Sequence, residues 1–114
     1  MDRTTRIAEE MKKEISEIIR SELKDPRIPK MISVTNVDLT KDLSLAKIYV
    51  SIYGKKEEKE EAIIALKKAS GFVRREIAQR IKIRYIPEMK FILDDSIEKG
   101  FYLTDLIDRT MKKD

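Results

Sequence analysis

The chain of 114 residues contains no cysteine, no histidine and no tryptophan. Without cysteine there is no disulfide framework and no thiolate chemistry, so nothing points to an oxidising compartment. Without histidine, the usual general base at neutral pH and the commonest metal ligand are both missing. Serine–histidine and cysteine–histidine catalysis are thereby excluded. Aromatic residues make up only 6% of the chain, and side-chain amides are confined to Asn36 and Gln79. Glycine and proline occur three times each, so breaks between elements are few and each one is informative. No apolar run is long enough to span a bilayer, and Met1 leads straight into a charged helical pattern. A cytoplasmic location, with no membrane partner, is the expectation.

What the chain has instead is charge. Asp, Glu, Lys and Arg account for 40% of the residues, against about 25% in an average globular protein. Charges standing where amides would otherwise be are the bias of a thermophile. Hydrophobic residues, 41% of the chain, are mostly aliphatic and suffice for one core. A single domain over residues 1–114 is expected, frayed from about 110 onward, and too short to bury a deep catalytic cleft.

Periodicity divides the chain. From Arg3 to Lys24, the residues Ile7, Met11, Ile15, Ile18 and Ile19 recur at helical spacing among charged neighbours, an amphipathic helix with one buried stripe. Asp2 or Thr4 can cap its start, and Asp25-Pro26 should end it. Ile32 and Val34 then alternate with polar residues, and Val37 and Leu39 do so in the opposite phase. The slip at Thr35-Asn36 predicts a bulge. Ala46, Ile48, Val50 and Ile52 share one face of a second strand, with Thr40–Ser44 as the hairpin loop. After Gly54 and a charged run, Lys55–Glu61, helical spacing resumes with Ala62, Ile63 and Leu66. It continues past Ala69-Ser70-Gly71 as Val73, Ile77 and Ile81. Two helices, or one sharply kinked helix, should meet at Ser70-Gly71. Beyond Pro87, Met89, Phe91 and Leu93 alternate as a third strand, and Leu103, Leu106 and Ile107 would support one short helix.

The order α–β–β–α–α–β predicts a two-layer α+β domain. If the two middle helices run in opposite senses, the third strand re-enters the sheet in the direction of the first. Paired beside the first strand, it would lie parallel to it in a mixed sheet.

The net charge of +4 says little by itself, but its distribution says more. From Lys67 to Lys90 eight basic residues (Lys67, Lys68, Arg74, Arg75, Arg80, Lys82, Arg84 and Lys90) face two acidic ones, Glu76 and Glu88, for a net +6. Basic side chains beside a helix junction suit phosphate backbones, although a solvated, salt-bridged surface fits the charge pattern equally well. The small residues Ser70 and Gly71 would let a nucleic-acid backbone approach, as the glycine-rich loop does in KH domains. A packing kink that draws helix to sheet is the commoner reason for a single helix glycine. Tyr49, Tyr53, Tyr85 and Tyr102 offer stacking faces, and the strand pair Tyr49 and Tyr53 stands out. Asp94-Asp95 is the one tight acidic cluster beyond the charged helices; a turn or cap explains it better than a metal site. No phosphate-loop, dinucleotide or nucleophile-elbow pattern is present, so no enzyme, cofactor, metal or small-molecule substrate is expected.

Taken in order, these segments resemble the ribosome-binding factor A family over nearly the whole chain. The similar stretches are Arg6 and Glu14-Ile15-Ser16, Asp25-Pro26-Arg27, Val34-Thr35-Asn36-Val37, and Asp42-Leu43-Ser44 with Ala46–Ser51. They continue with Ala69-Ser70-Gly71-Phe72-Val73-Arg74, then Arg84-Tyr85-Ile86-Pro87, Phe91 and Asp94–Glu98. The resemblance implies a KH-like fold of type II, with an Ala-x-Gly kink in place of the GXXG loop. It also implies binding to the free small (30S) ribosomal subunit, help in maturing the precursor of its 16S rRNA, and a role in cold adaptation. A monomer that docks through phosphates is the expected mode. Two rivals stay open on residue grounds: a helix-turn-helix DNA binder using Arg74 and Arg75, and a protein adaptor using the first helix and the tyrosine-bearing strand.

Overall fold

A computed structural model describes residues 2–29 and 31–95 of the chain. The short helix expected around Leu103–Ile107 and the frayed end lie outside the described residues. Helix α1 spans Arg3–Ser21, and the Asp2 carboxylate caps it by accepting the Thr5 N–H at 2.8 Å. Its stripe is the one the spacing predicts: Ile7, Met11, Ile15, Ile18 and Ile19 are all buried. The helix ends short of Asp25, and the Asp25–Pro29 connection is held by the Asp25 carboxylate. That carboxylate accepts the Arg27 backbone N–H at 2.9 Å and the Arg27 guanidinium at 2.6 Å.

Strands β1 (Ile32–Leu39) and β2 (Leu45–Ile52) form an antiparallel hairpin. The register shifts between Val34 and Asn36, where the change of hydrophobic phase predicts it. That bulge lets Val34 and Val37, on either side of it, both face the core. In the hairpin loop, Thr40, Asp42 and Ser44 bond to one another, and Leu43 takes a left-handed φ of 62°. Gly54, at φ 149°, turns the chain out of β2 in a conformation that side-chain-bearing residues rarely adopt. Helix α2 (Lys56–Lys68) follows, with the Glu58 carboxylate accepting the Lys55 N–H at 3.1 Å. A single residue, Ala69, separates it from α3 (Ser70–Arg80).

Strand β3 (Glu88–Leu93) corrects the expected strand order. It pairs with β2, not β1, and runs parallel to it, from Leu45↔Glu88 to Val50↔Leu93. The sheet is mixed, in the order β1-β2-β3. With only Ala69 between them, α2 and α3 do not fold back on each other as a hairpin. Together they carry the chain along the sheet in one sense, as the single helix of a βαβ crossover does, and such a crossover delivers a strand parallel to the one it left.

All three helices cover one face of the sheet. Met11, Ile15 and Ile18 from α1, Leu66 from α2, and Val73 and Ile77 from α3 close over Ile48, Val50 and Phe91, each at most 1% exposed. The other face carries Ser33, Asn36, Asp38, Lys47, Tyr49, Ser51, Glu88 and Lys90, exposed or half-buried. This is the two-layer α+β, KH-like arrangement, with the Ala69-Ser70-Gly71 kink at its helix junction.

Candidate nucleic-acid interface

The junction between α2 and α3 is built from small residues with few obligations. The Ala69 N–H closes α2 on the Ala65 and Leu66 carbonyls, and the Val73 N–H is held by the Ala69 carbonyl. Ser70, Gly71 and Phe72 therefore stand in the first turn of α3, where backbone donors have no partner within their own helix. No side chain caps this end. The Ser70 hydroxyl turns back instead and donates to the Lys67 carbonyl at 2.7 Å.

Gly71 is exposed, and its surroundings decide between the two reasons for a glycine there. Beyond its own helical turn, a Cβ at this position would meet only the Arg75 guanidinium, at an ordinary 3.6 Å. Packing inside the molecule does not require the glycine, and its φ is helical. The open side of the junction faces outward.

Around it the basic residues divide. Lys67 and Lys68 occupy the exposed last turn of α2, and Arg75 lies exposed over Gly71. Arg74 is exposed too, yet it also works within the fold by donating to the Ile86 carbonyl at 2.8 Å. Lys82 and Arg84 project from the connection between α3 and β3. Arg80 is placed differently: its guanidinium meets Glu14 of α1 at 3.2 Å, Glu76 at 3.5 Å and Glu22 at 3.7 Å. The Glu14 hydrogen bond, above all, raises its pKa further. Lys90 sits on the open face of the sheet, level with Lys47 and away from the helix junction, because Met89 and Phe91 on either side of it are buried. The structure thus places Lys67, Lys68, Ser70, Gly71, Arg74 and Arg75 at the helix junction and in the first half of α3, and Lys82 and Arg84 on the connection beyond the other end of α3. Arg80 is tied into an internal ion-pair cluster, and Lys90 lies on another face.

The tyrosines separate as well. Tyr49 is half-buried on the open sheet face. Tyr53, 80% exposed, follows the end of β2, at the opposite end of the sheet from the basic connection. Tyr85, 71% exposed, stands inside the basic stretch, with the Arg84 guanidinium 5.4 Å from its ring centre. Sequence reasoning singles out Tyr49 and Tyr53; the structure adds the contact of Tyr85 with an arginine of the basic stretch. A groove of about 870 Å³ between the end of α1, the Asp25–Pro29 connection and β1 contains none of these basic residues. Among the described residues no cluster of three acidic side chains suited to a metal ion is found, and no helix is long and apolar enough to cross a membrane.

Comparison with known proteins decides the family. The family model for ribosome-binding factor A matches residues 3–107. The chain belongs to the ribosome-binding factor A family. A relative from Acetivibrio thermocellus, named Ribosome-binding factor A, is 56% identical over 110 residues, covering 96% of this chain and 89% of its own. The crystal structure of ribosome-binding factor A from Thermus thermophilus is similar with a TM-score of 0.71 and 28% identity, over 79% of this chain and 93% of that one. A Thermus thermophilus ribosome-binding factor A homology model fitted into a cryo-EM map of a 30S complex is similar with a TM-score of 0.65 and 28% identity, over 77% and 91% of the two chains. The family is one of ribosome-binding factors, and the KH-like α+β fold is shared with these structures.

Proposed function

We propose that this chain binds the free small ribosomal subunit and assists maturation of the precursor of its 16S rRNA, with a part in growth in the cold. The observation that carries this reading is the family match, which runs through every element described. The Thermus thermophilus homology model fitted into the map of a 30S complex supports the small subunit as the particle.

The protein acts as a preformed platform rather than as an enzyme. It works in the cytoplasm as a monomer, without a cofactor. Lys67, Lys68, Arg75 and Arg84 meet phosphates from the exposed face of α2, α3 and the following connection. Arg74 does so while anchoring that connection, and Lys82 adds charge beside it. The open Gly71 lets an RNA backbone approach the first turn of α3, whose N–H groups and positive dipole end favour a phosphate. Phosphate contacts supply affinity and position but little sequence readout, so specificity comes from the shape of the assembling subunit.

Sedimentation of the protein with small subunits, large subunits and assembled ribosomes across a salt series tests the reading. Co-sedimentation with free small subunits alone, lost as salt rises, is expected. Arg75→Glu, on a side chain with no ion pair to break among the described residues, should weaken it without loss of fold. Binding to no ribosomal particle, or equal binding to duplex DNA, would overturn the assignment.

A further inference from the structure

The connection from Ile81 to Pro87 is unusually well held for a loop that displays charge. Ile81 and Pro87 are buried, and Ile83 and Ile86 pack against the core as half-buried residues. The Arg74 guanidinium holds the Ile86 carbonyl at 2.8 Å, and the Glu88 N–H donates to the Ser44 carbonyl at 3.0 Å. Between these anchors Lys82, Arg84 and Tyr85 are exposed. Tyr85 is thus displayed on a pinned backbone, with 71% of its surface open to solvent. The Arg84 guanidinium lies over its ring at 5.4 Å and occupies one face of the π-system. With 71% of the residue exposed, the ring keeps surface open for a further contact.

A lone exposed tyrosine needs no explanation; this one is distinguished by its company. We propose that Tyr85 is a stacking platform for one unpaired base of RNA, flanked by Arg84 and Arg74 as contacts for the neighbouring phosphates. The inference rests on the reading of this face as an RNA interface and adds the kind of nucleotide it takes. A single-stranded nucleotide presents a flat apolar face and an anionic phosphate within one residue of backbone, which is the pairing of chemistries that Arg84-Tyr85 offers. A duplex hides its base faces, so only an extruded or looped nucleotide can use the ring. Tyr53 is somewhat more exposed but lies at the opposite end of the sheet, and serves as an internal control.

The test compares Tyr85→Ala, Tyr85→Phe and Tyr53→Ala for affinity to free small subunits across a salt series. Tyr85→Ala should bind about tenfold more weakly, the scale of one lost base stack, while Tyr85→Phe and Tyr53→Ala bind as the parent does. The salt slope of Tyr85→Ala should be unchanged, since a stacked base releases no counterion. Because the chain has no tryptophan, Tyr85→Trp places a single indole at the site. A mixed-sequence single-stranded oligoribonucleotide should quench its emission, and a duplex of equal length should not. Parent-like binding by Tyr85→Ala, or equal quenching by the duplex, overturns the stacking role. If Arg75→Glu weakens binding and Tyr85→Ala does not, stacking alone fails. If the parent binds no small subunit, the reading beneath it fails too.

Discussion

At the scale of single residues, Gly71 is where stability and function pull apart. Glycine in a helix is less favourable than alanine by about 0.5–1 kcal/mol, and here no contact within the molecule requires that sacrifice. Gly71→Ala should therefore raise the thermal midpoint by several degrees. If an RNA backbone rests against this position, the same change should weaken small-subunit binding by about tenfold, comparable to losing one charge-assisted hydrogen bond. Thermal melts and sedimentation on one preparation read both effects. A variant that is more stable and binds unchanged would mean that the backbone does not approach there. Charge at this scale was legible in the sequence: Lys67, Lys68, Arg75 and Arg84 are exposed as a basic stretch implies. Arg80 was not legible. Its partner Glu14 lies 66 residues away on another helix, and only the packing of α3 against α1 brings the two together. Leu43 gave no sign either, since nothing in its side chain announces a left-handed φ.

The elements themselves could be read closely because each carries its own period. The stripe of α1, the alternation of β2 and the phase slip at the β1 bulge are local patterns imposed by the side on which the core lies. Their arrangement is not local. The direction of β3 depends on whether α2 and α3 act as a hairpin or as one bent crossover, and one intervening residue, Ala69, settles that. The same arrangement gives Arg80 its work as the ionic link between the end of α3 and α1. Arg80→Glu would set a fourth carboxylate among Glu14, Glu22 and Glu76. It should lower the urea midpoint well below that of Arg80→Met, which keeps the length and apolar stem of the side chain. Refolded Arg80→Met should still bind small subunits, because this side chain serves the fold. A stable Arg80→Met that no longer binds would return Arg80 to the interface.

For the whole molecule, the missing histidine and cysteine make a sharp statement about pH. No side chain in the chain has an ordinary pKa between those of the carboxylates and those of tyrosine and lysine. Stability and the salt-dependent affinity should both be flat from about pH 6 to pH 7, below the range in which a chain's α-amino group titrates. The acid side differs. The Arg27 side-chain hydrogen bond, followed by the Arg27 backbone N–H, lowers the Asp25 pKa to about 2. The Thr5 N–H lowers that of Asp2 at the start of α1, and the Ser44 and Thr40 hydroxyls lower that of Asp42 in the hairpin loop. A carboxylate whose pKa is lower in the folded state than in the unfolded chain binds its proton more weakly when native. Its contribution is full above the ordinary carboxylate range and is lost as pH falls through the folded value. Asp25, in the proline-flanked connection, should thus lose its hold between its ordinary value of about 4 and its folded value of about 2, and the helix cap Asp2 and the hairpin Asp42 should weaken in the same direction as pH falls below the ordinary carboxylate range. Urea unfolding at fixed pH values across the acid and neutral ranges reads this directly, with a level midpoint near neutrality and a fall below about pH 4. Asp25→Asn should soften that fall and lower the neutral midpoint, because the neutral amide loses the charge that draws Arg27 across the turn. A midpoint that moved between about pH 6 and pH 7 would require a titrating side chain that this sequence does not contain.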